Sequence, residues 1–454
     1  MVHLFWIVLH LIFYLLFPEF GASVSLLLYL IFELFSTYKN NGKLEFIHFY
    51  FLGTILTIFA NLSIIYSFSS GEGVGSYTYA LPQYFPIASL IFAIGNQCMA
   101  IGYFFKGEGK IPKLVSQAKL SYSLLNKIFW ISLLFSFNKF WLPIQLPGSF
   151  QILVEIIPIV GIFIFSKYAG KFQGKTLFVQ SLILTLGASF NALLFSYLRL
   201  DIVSPIIVFI LGYYIGTRSL KSFLSVKFVP MFLLLIVFYT FFGLFGANRA
   251  NVSDGFDRIS QLNFEFTDKN LKGLEEEESL SAFERSSNIA QISATYGLVE
   301  NHGFYNGKAS MPLVGALIPR IFWPDKPKIA LGSWFAMEIG AAIEVDGWYN
   351  NAVNMTIPGN LFLDFGWYGL VLGSFLIGIF LKLLWNSVGF YDKKFNLVGL
   401  FLGVYLFFTG FLGIGADLQI LITYLSMYLT LLLLSILINL IHENSLRRAN
   451  LARK

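Results

Sequence analysis

The chain has 454 residues, of which 56% are hydrophobic and 18% aromatic but only 12% charged, and its mean hydropathy is +0.71. Soluble domains carry about 25% charged residues, so composition excludes an ordinary water-soluble globule and leaves a polytopic membrane protein. The formal net charge of +6 does not mark a nucleic-acid surface, because most of it sorts by loop and sets topology; no nucleic-acid partner is implied.

In chain order, apolar windows of roughly 15 to 25 residues predict helices near 2–17, 20–37, 46–66, 85–105, 124–137, 150–166, 176–197, 202–217 and 228–246. The first has no small-residue cleavage site behind it and reads as a retained span. Cys98, the single cysteine, lies inside the fourth apolar run and reads as a small hydrophobe. A long polar connection follows, from Ala247 to about Thr356, and then three more spans near 357–385, 397–414 and 418–441. The expected fold is an all-α polytopic integral membrane protein with about twelve transmembrane helices. Its parts are a membrane domain over 1–246, a large outer loop over 247–356, C-terminal spans over 357–441 and a basic cytoplasmic tail over 442–454.

Charge sets the orientation. Twenty of the 31 Lys and Arg lie in alternate connections, from Lys39 and Lys43 through Lys106 to Lys127, Lys167 to Lys175, Arg218 to Lys227 and Lys382 to Lys394, and in the tail. The intervening short loops hold only Lys139 and Arg199. The positive-inside rule then puts both termini in the cytoplasm and the long loop, with nine cations and fourteen acids, on the other side.

That loop far exceeds the usual two to eight residues between packed helices and is therefore read as functional or disordered, each in different parts. Its start is polar, and Glu275 to Glu278 read as a solvated stretch rather than a metal site. Two amphipathic helices are predicted after it: Ser279–Leu298, with Leu280, Phe283, Ile289, Ile292 and Tyr296 near one face, and Leu331–Ile343, with Leu331, Trp334, Phe335 and Ile339. Together they predict a small helical cap on the outer membrane face.

Charges at or inside spans are Glu33, Glu155, Arg199, Asp201, Asp364, Lys382 and Asp417. Each would cost about 2.5 to 3.5 kcal/mol at mid-bilayer and so invites a functional reading. Lys382, near a cytoplasmic end, reads as a snorkelling side chain, and Glu33 as the cytoplasmic end of its helix. Arg199 and Asp201, in a tight outer turn, either cap that turn or face an outer cavity together with Asp417.

Between the cap helices stands LIPRIFWPDKPKI, Leu317 to Ile329. A residue before proline is pushed out of the helical region, so Ile318, Trp323 and Lys326 should be extended. Arg320 and Lys326 then project from a stiff frame, and arginine matches phosphate oxygens bidentately. The competing reading is an interfacial anchor of Trp, Arg and Lys at the headgroups.

ALIPRIFWPDKP, preceded by AFERSSN and HGFYNGKAS and followed by IPGNLFLDFGWYGLVLG, resembles the bacterial oligosaccharide repeat-unit polymerases, the Wzy-type O-antigen and capsule polymerases. The resemblance covers Arg285 to about Gly373; elsewhere it is a hydropathy profile only. It implies a glycosyltransferase of GT-C architecture, independent of metal and cofactor, at the periplasmic face of the bacterial inner membrane. Its partners would be undecaprenyl-diphosphate-linked repeat units, the bilayer, a flippase and a chain-length regulator. The cations carried over are Arg285, Arg320 and Lys326.

Transfer from a lipid diphosphate needs cations on the leaving charge and a base at the acceptor hydroxyl. Arg249, where the ninth span emerges, and Arg199 add to the diphosphate-binding candidates. Base candidates are His302, Glu300 and Asp325, with Glu338, Glu344 and Asp346 behind them; the sequence does not separate the carboxylates. His302 is the only histidine of five in the outer loop. The sequence contains no His or Cys cluster with zinc spacing, no glycine phosphate loop and no nucleophile elbow. Alternatives are an O-antigen ligase-like transferase and a transporter or flippase of lipid-linked sugars. The latter would be expected to show two pseudo-repeated halves, and no repeat is found.

Overall fold

The computed structural model describes residues 2–39, 45–70, 78–105, 110–114, 121–141, 148–195, 199–217, 287–316, 323, 331–345, 348–349, 351–389, 396–412 and 418–451. Within them the chain is helical apart from one two-residue antiparallel pair, in which Glu344 faces Tyr349 and Val345 faces Trp348. Helices stand at eleven of the predicted places, and the span near 228–246 lies outside the described residues. Six helices are long and apolar enough to cross a membrane: Phe46–Ser69, Pro82–Phe104, Gln151–Phe172, Lys175–Phe195, Ile357–Val388 and Gln419–Leu440. Five more are apolar but shorter, at 10–17 residues. By length and composition these helices are compatible with a helical membrane protein.

Two compact units divide the chain. The first joins Met1–Leu114, Ser279–Gly389 and Thr409–Leu433. Its N-terminal helices are α1 (Val2–Leu16), α2 (Gly21–Lys39), α3 (Phe46–Ser69) and α4 (Phe85–Phe104). The second joins Val115–Glu278, Phe390–Phe408 and Leu434–Lys454. It contains α5 (Tyr122–Phe135), the short α6 (Asn138–Trp141), α7 (Gly148–Phe172), α8 (Lys175–Phe195) and α9 (Arg199–Thr217). α9 starts three residues earlier than the apolar window, so Arg199 opens a helix rather than sitting in a tight turn.

The loop region of the first unit folds into α10 (Ile289–His302), α11 (Met311–Ala316) and α12 (Leu331–Glu338). α10 matches the second half of the first predicted cap helix and runs four residues beyond it; residues 279–286 lie outside the described set. α12 stops at Glu338, five residues short of the window, because Gly340 takes φ +69 and turns the chain. These helices bury a core of their own, with Ala294, Leu298, Leu313, Leu331, Phe335 and Leu363 at its centre.

The predicted 357–385 helix is broken. α13 (Ile357–Tyr368) contains Gly366 at φ 61, ψ −147, and passes through a π-helical segment, Gly369–Gly373, into α14 (Ser374–Val388). α15 (Leu397–Leu412) follows, and the last helix, α16 (Gln419–Leu451), continues through 442–451, where a tail was expected.

Close helix packing in both units rests on glycine, as suits a solvent in which apolar burial alone does not drive helix association. In the first unit a Cβ at Gly102 would sit 1.9 Å from the Phe375 carbonyl oxygen, and one at Gly378 2.0 Å from that of Met99. In the second, a Cβ at Gly216 would meet the Lys167 carbonyl oxygen at 2.1 Å, and one at Gly170 that of Tyr213 at 2.4 Å.

Candidate functional site

The best-defined polar construction in the first unit is the frame that holds α10 and the chain after it. A helix begins with N–H groups that have no partner inside the helix. At the start of α10 they are met from a distant element. Asn61, in the middle of α3 and fully buried, accepts through Oδ1 from the Ser287 hydroxyl at 2.8 Å, Asn288 N at 2.9 Å and Ile289 N at 3.2 Å. Its Nδ2 donates to Asn288 Oδ1 at 3.0 Å. Asn61 therefore caps a helix more than two hundred positions away, a job normally done by the residue at the helix start itself.

Along its length α10 lies on α4 and α13. Leu81 N donates to Ser293 Oγ at 3.2 Å, and Leu81 also fills the space over Gly297. Tyr296 lies between Tyr84, tilted against it at 5.0 Å, and Phe362, stacked on it at 5.9 Å.

The far end of α10 is fixed by the break in α13. In a continuous helix the Leu363 and Asp364 carbonyls would pair with residues 367 and 368, beyond Gly366. Here they accept from Tyr305 N at 3.0 Å and Asn306 N at 2.9 Å. The fully buried Asp364 carboxylate completes the clasp. Its Oδ1 accepts from Ala309 N at 3.1 Å, and its Oδ2 from Ser310 N at 3.0 Å and the Ser310 hydroxyl at 2.5 Å. The charge that looked expensive from the sequence is thus bound by three donors. Gly366 is required twice over: its φ is positive, and the Phe304 ring lies 2.7 Å from where a Cβ would stand.

Tyr305 reaches from this loop to α12. Its hydroxyl donates to Glu338 at 3.0 Å, and its ring meets Trp334 edge-on at 5.7 Å. Partial burial, reinforced by that bond to a carboxylate, pushes the Tyr305 hydroxyl up to about 12.

Two of the sequence-derived site residues are on this frame. Glu300 and His302 occupy the last turn of α10, both exposed, and Glu300 accepts a hydrogen bond from the Tyr84 hydroxyl. Two residues apart on a helix, they point to different sides, so one substrate group meets one of them rather than both. Arg199 is the first residue of α9, in the second unit. Arg249, Arg285, Arg320, Asp325 and Lys326 lie outside the described residues. Of the further base candidates, Glu338 is engaged by Tyr305, Glu344 is in the short strand pair, and Asp346 lies outside the described set. Trp323, in the proline segment, is 41% exposed, with one ring edge over Gly315. Among the described residues no three His, Cys, Asp or Glu come together as a metal site.

Lys382 differs from the expected snorkelling residue. Its ammonium pairs with Glu45 and sits 4.9 Å from the centre of the Tyr103 ring, leaving the side chain 28% exposed. Sequence reading missed Asn61, Tyr84 and Gly366 altogether. The one available signal was that Asp364, in an apolar run, needed partners.

Comparison with protein-family models, curated proteins and solved structures finds no match for this chain.

Proposed function

We propose that the protein is a glycosyltransferase that polymerises polyprenyl-diphosphate-linked oligosaccharide repeat units, with about twelve spans in a GT-C arrangement and its site on the periplasmic face of a bacterial inner membrane. The observation that supports this reading most is the frame around α10. The cation-bearing segments of the resemblance flank it in sequence: Arg285 two positions before Ser287, and Arg320 four positions after the end of α11. The frame itself is anchored to apolar helices at both ends, Ser287 through Asn61 and Ala309 through Asp364. A frame so anchored suits residues that must meet a lipid headgroup at constant depth, since preorganised charge needs no reorganisation when the leaving group departs.

In the proposed reaction Arg285, Arg320 and Lys326, with Arg249 and Arg199 as further cations, hold the diphosphate of the donor. The acceptor hydroxyl loses its proton to a base, His302 or a carboxylate. Its oxygen bonds to the anomeric carbon as the bond from that carbon to the diphosphate oxygen breaks. The products are a glycan longer by one repeat unit, still on the acceptor's lipid, and a free polyprenyl diphosphate.

The test is elongation of a lipid-linked repeat unit by the purified chain in liposomes. Arg320→Ala should slow it by about ten- to a hundredfold or more, because a charge-assisted contact contributes roughly 1.5 to 3 kcal/mol, with thermal stability unchanged. No elongation by the wild type, with intact translocation of the lipid-linked sugar, would replace this reading with the transporter. Transfer of finished glycan to a lipid A core without lengthening would replace it with the ligase.

A further inference from the structure

The second unit contains a cavity of about 330 Å³, at the small end of the range for small-molecule sites. Its origin is legible in the helices. α7 and α9 touch at backbone distance where Gly170 and Gly216 meet Tyr213 and Lys167. Two to three turns earlier each helix carries an internal proline, Pro158 in α7 and Pro205 in α9. Proline lacks the N–H for the helical bond and bends the helix away from the carbonyl four residues before it. Both prolines line the cavity, and the small Ala188 and Ala192 of α8 leave room opposite.

The polar lining converges on one end of the helices. Asn138 and Lys139 come from α6, Glu155 from the start of α7, Asn191 from the end of α8, and Tyr405 from α15. Lys139 Nζ lies 3.7 Å from Glu155 Oε1, with both side chains nearly half exposed, and Asn191 Nδ2 donates to Asn138 Oδ1 at 3.1 Å. Asn191 Oδ1 is shielded from bulk solvent and has no hydrogen-bond partner among the described residues. Phe135, Phe195 and Phe408 supply flat apolar walls.

Chemistry narrows the occupant. Among the described lining residues the one ammonium is already paired with the one carboxylate, so they bring no net charge with which to hold a phosphate or a metal cation. A lipid tail would leave Asn191 Oδ1 without a partner, at about 1 to 3 kcal/mol for a stranded buried group, and would use none of the remaining hydrogen-bonding capacity of the amides and the ion pair. A neutral polyhydroxylated ring uses everything present: amide and carboxylate acceptors, amide and ammonium donors, and aromatic faces. We propose that this cavity binds a neutral sugar ring. On the charge-based orientation Lys139 places it toward the outer end of the helices, and assigning the ring to the end of a glycan rests on the glycosyltransferase reading. A cavity this small holds one ring, with the rest of the glycan leaving through the open side.

The full chain in lipid nanodiscs is titrated by saturation-transfer NMR with neutral mono-, di- and trisaccharides, with inorganic phosphate, and with the same trisaccharide on a polyprenyl diphosphate. Wild type should bind the neutral sugars. Asn191→Leu and Glu155→Gln should each weaken that binding at least tenfold. Ala188→Phe, which fills the cavity and removes no polar group, should do the same while helix content and melting temperature hold. Binding only of the lipid-linked sugar, still lost in Asn191→Leu, assigns the ring to a glycolipid; binding of free trisaccharide assigns it to the glycan itself. Phosphate binding with the sugars silent, or sugar affinity unchanged in all three variants, overturns the proposal. Because binding is read without turnover, a wild type that binds sugar here but never elongates a lipid-linked unit loses the polymerase reading and keeps the pocket. An elongating enzyme whose sugar affinity ignores these variants loses the pocket alone.

Discussion

The α10 frame and the proline-bent cavity are both built from amides and carboxylates, buried in the first and half exposed at Glu155 in the second, yet they spend them in opposite ways. Around Asn61 and Asp364 these acceptors are saturated by main-chain N–H and serine hydroxyl donors of one connected segment. Around Asn191 and Glu155 the polar atoms meet each other loosely, and one amide oxygen has no partner among the described residues. Saturated polar groups fix a geometry, and partly satisfied ones leave hydrogen-bonding capacity for a ligand. The contrast separates a scaffold from a receptor without reference to any relative.

The largest effect should come from cutting the clasp. Asp364→Ala strands two main-chain N–H groups and a hydroxyl and should cost about 3 to 5 kcal/mol. Thermal unfolding in detergent reads that loss, and limited proteolysis should find new cleavage between Gly303 and Ser310. If stability holds within about 1 kcal/mol, the loop is not pinned there and the comparison fails. Asn61→Ala should cost about 2 kcal/mol, by stranding the first donors of α10, and should add to Asp364→Ala only partly, since both hold one segment. Glu155→Gln sharpens the contrast from the other side. Its ion pair is loose and half exposed, so stability should move by under about 1 kcal/mol even as sugar binding falls.

The smallest effect is a pH dependence. The Tyr305 hydroxyl is held above its ordinary value of 10.0, at about 12, first by burial and then by the bond to Glu338. A raised acid favours the folded state below pH 10 and ceases to do so as pH climbs from about 10 to 12. Wild type should therefore lose stability across that alkaline window, and Tyr305→Phe should lose less of it. Parallel melting curves at pH 9 and pH 11.5 check the difference.

Hydropathy placed the apolar helices well, because the apolar character of a run depends on the run itself. Helix ends were less legible: α9 starts at Arg199 and α16 runs through a basic segment, since helical backbone continues past the apolar stretch wherever its residues allow. The break at Gly366 was hidden, because glycine is also common in unbroken membrane helices. What decides it is a long-range partnership in which Tyr305 and Asn306 supply the N–H groups and Phe304 takes the space. Asn61 was invisible for the same reason: an asparagine in an apolar run announces a need for a partner but not its address. Lys382 shows the converse, a charge that reads as a snorkelling end and whose partners, Glu45 and the Tyr103 ring, the sequence did not name. Of the candidate site, the sequence supplied the chemistry of Arg285, Arg320 and Lys326 and the exposed pair Glu300 and His302. It could not supply the frame that carries Glu300 and His302.

The central claim is most directly tested by counting products. Purified wild type in liposomes receives a lipid-linked repeat unit, and both polymer length and free polyprenyl diphosphate are measured. Polymerisation predicts one free polyprenyl diphosphate for each new glycosidic bond, with the lengthened glycan still on lipid. Lipid-linked units that stay single, with no polyprenyl diphosphate released, would contradict it.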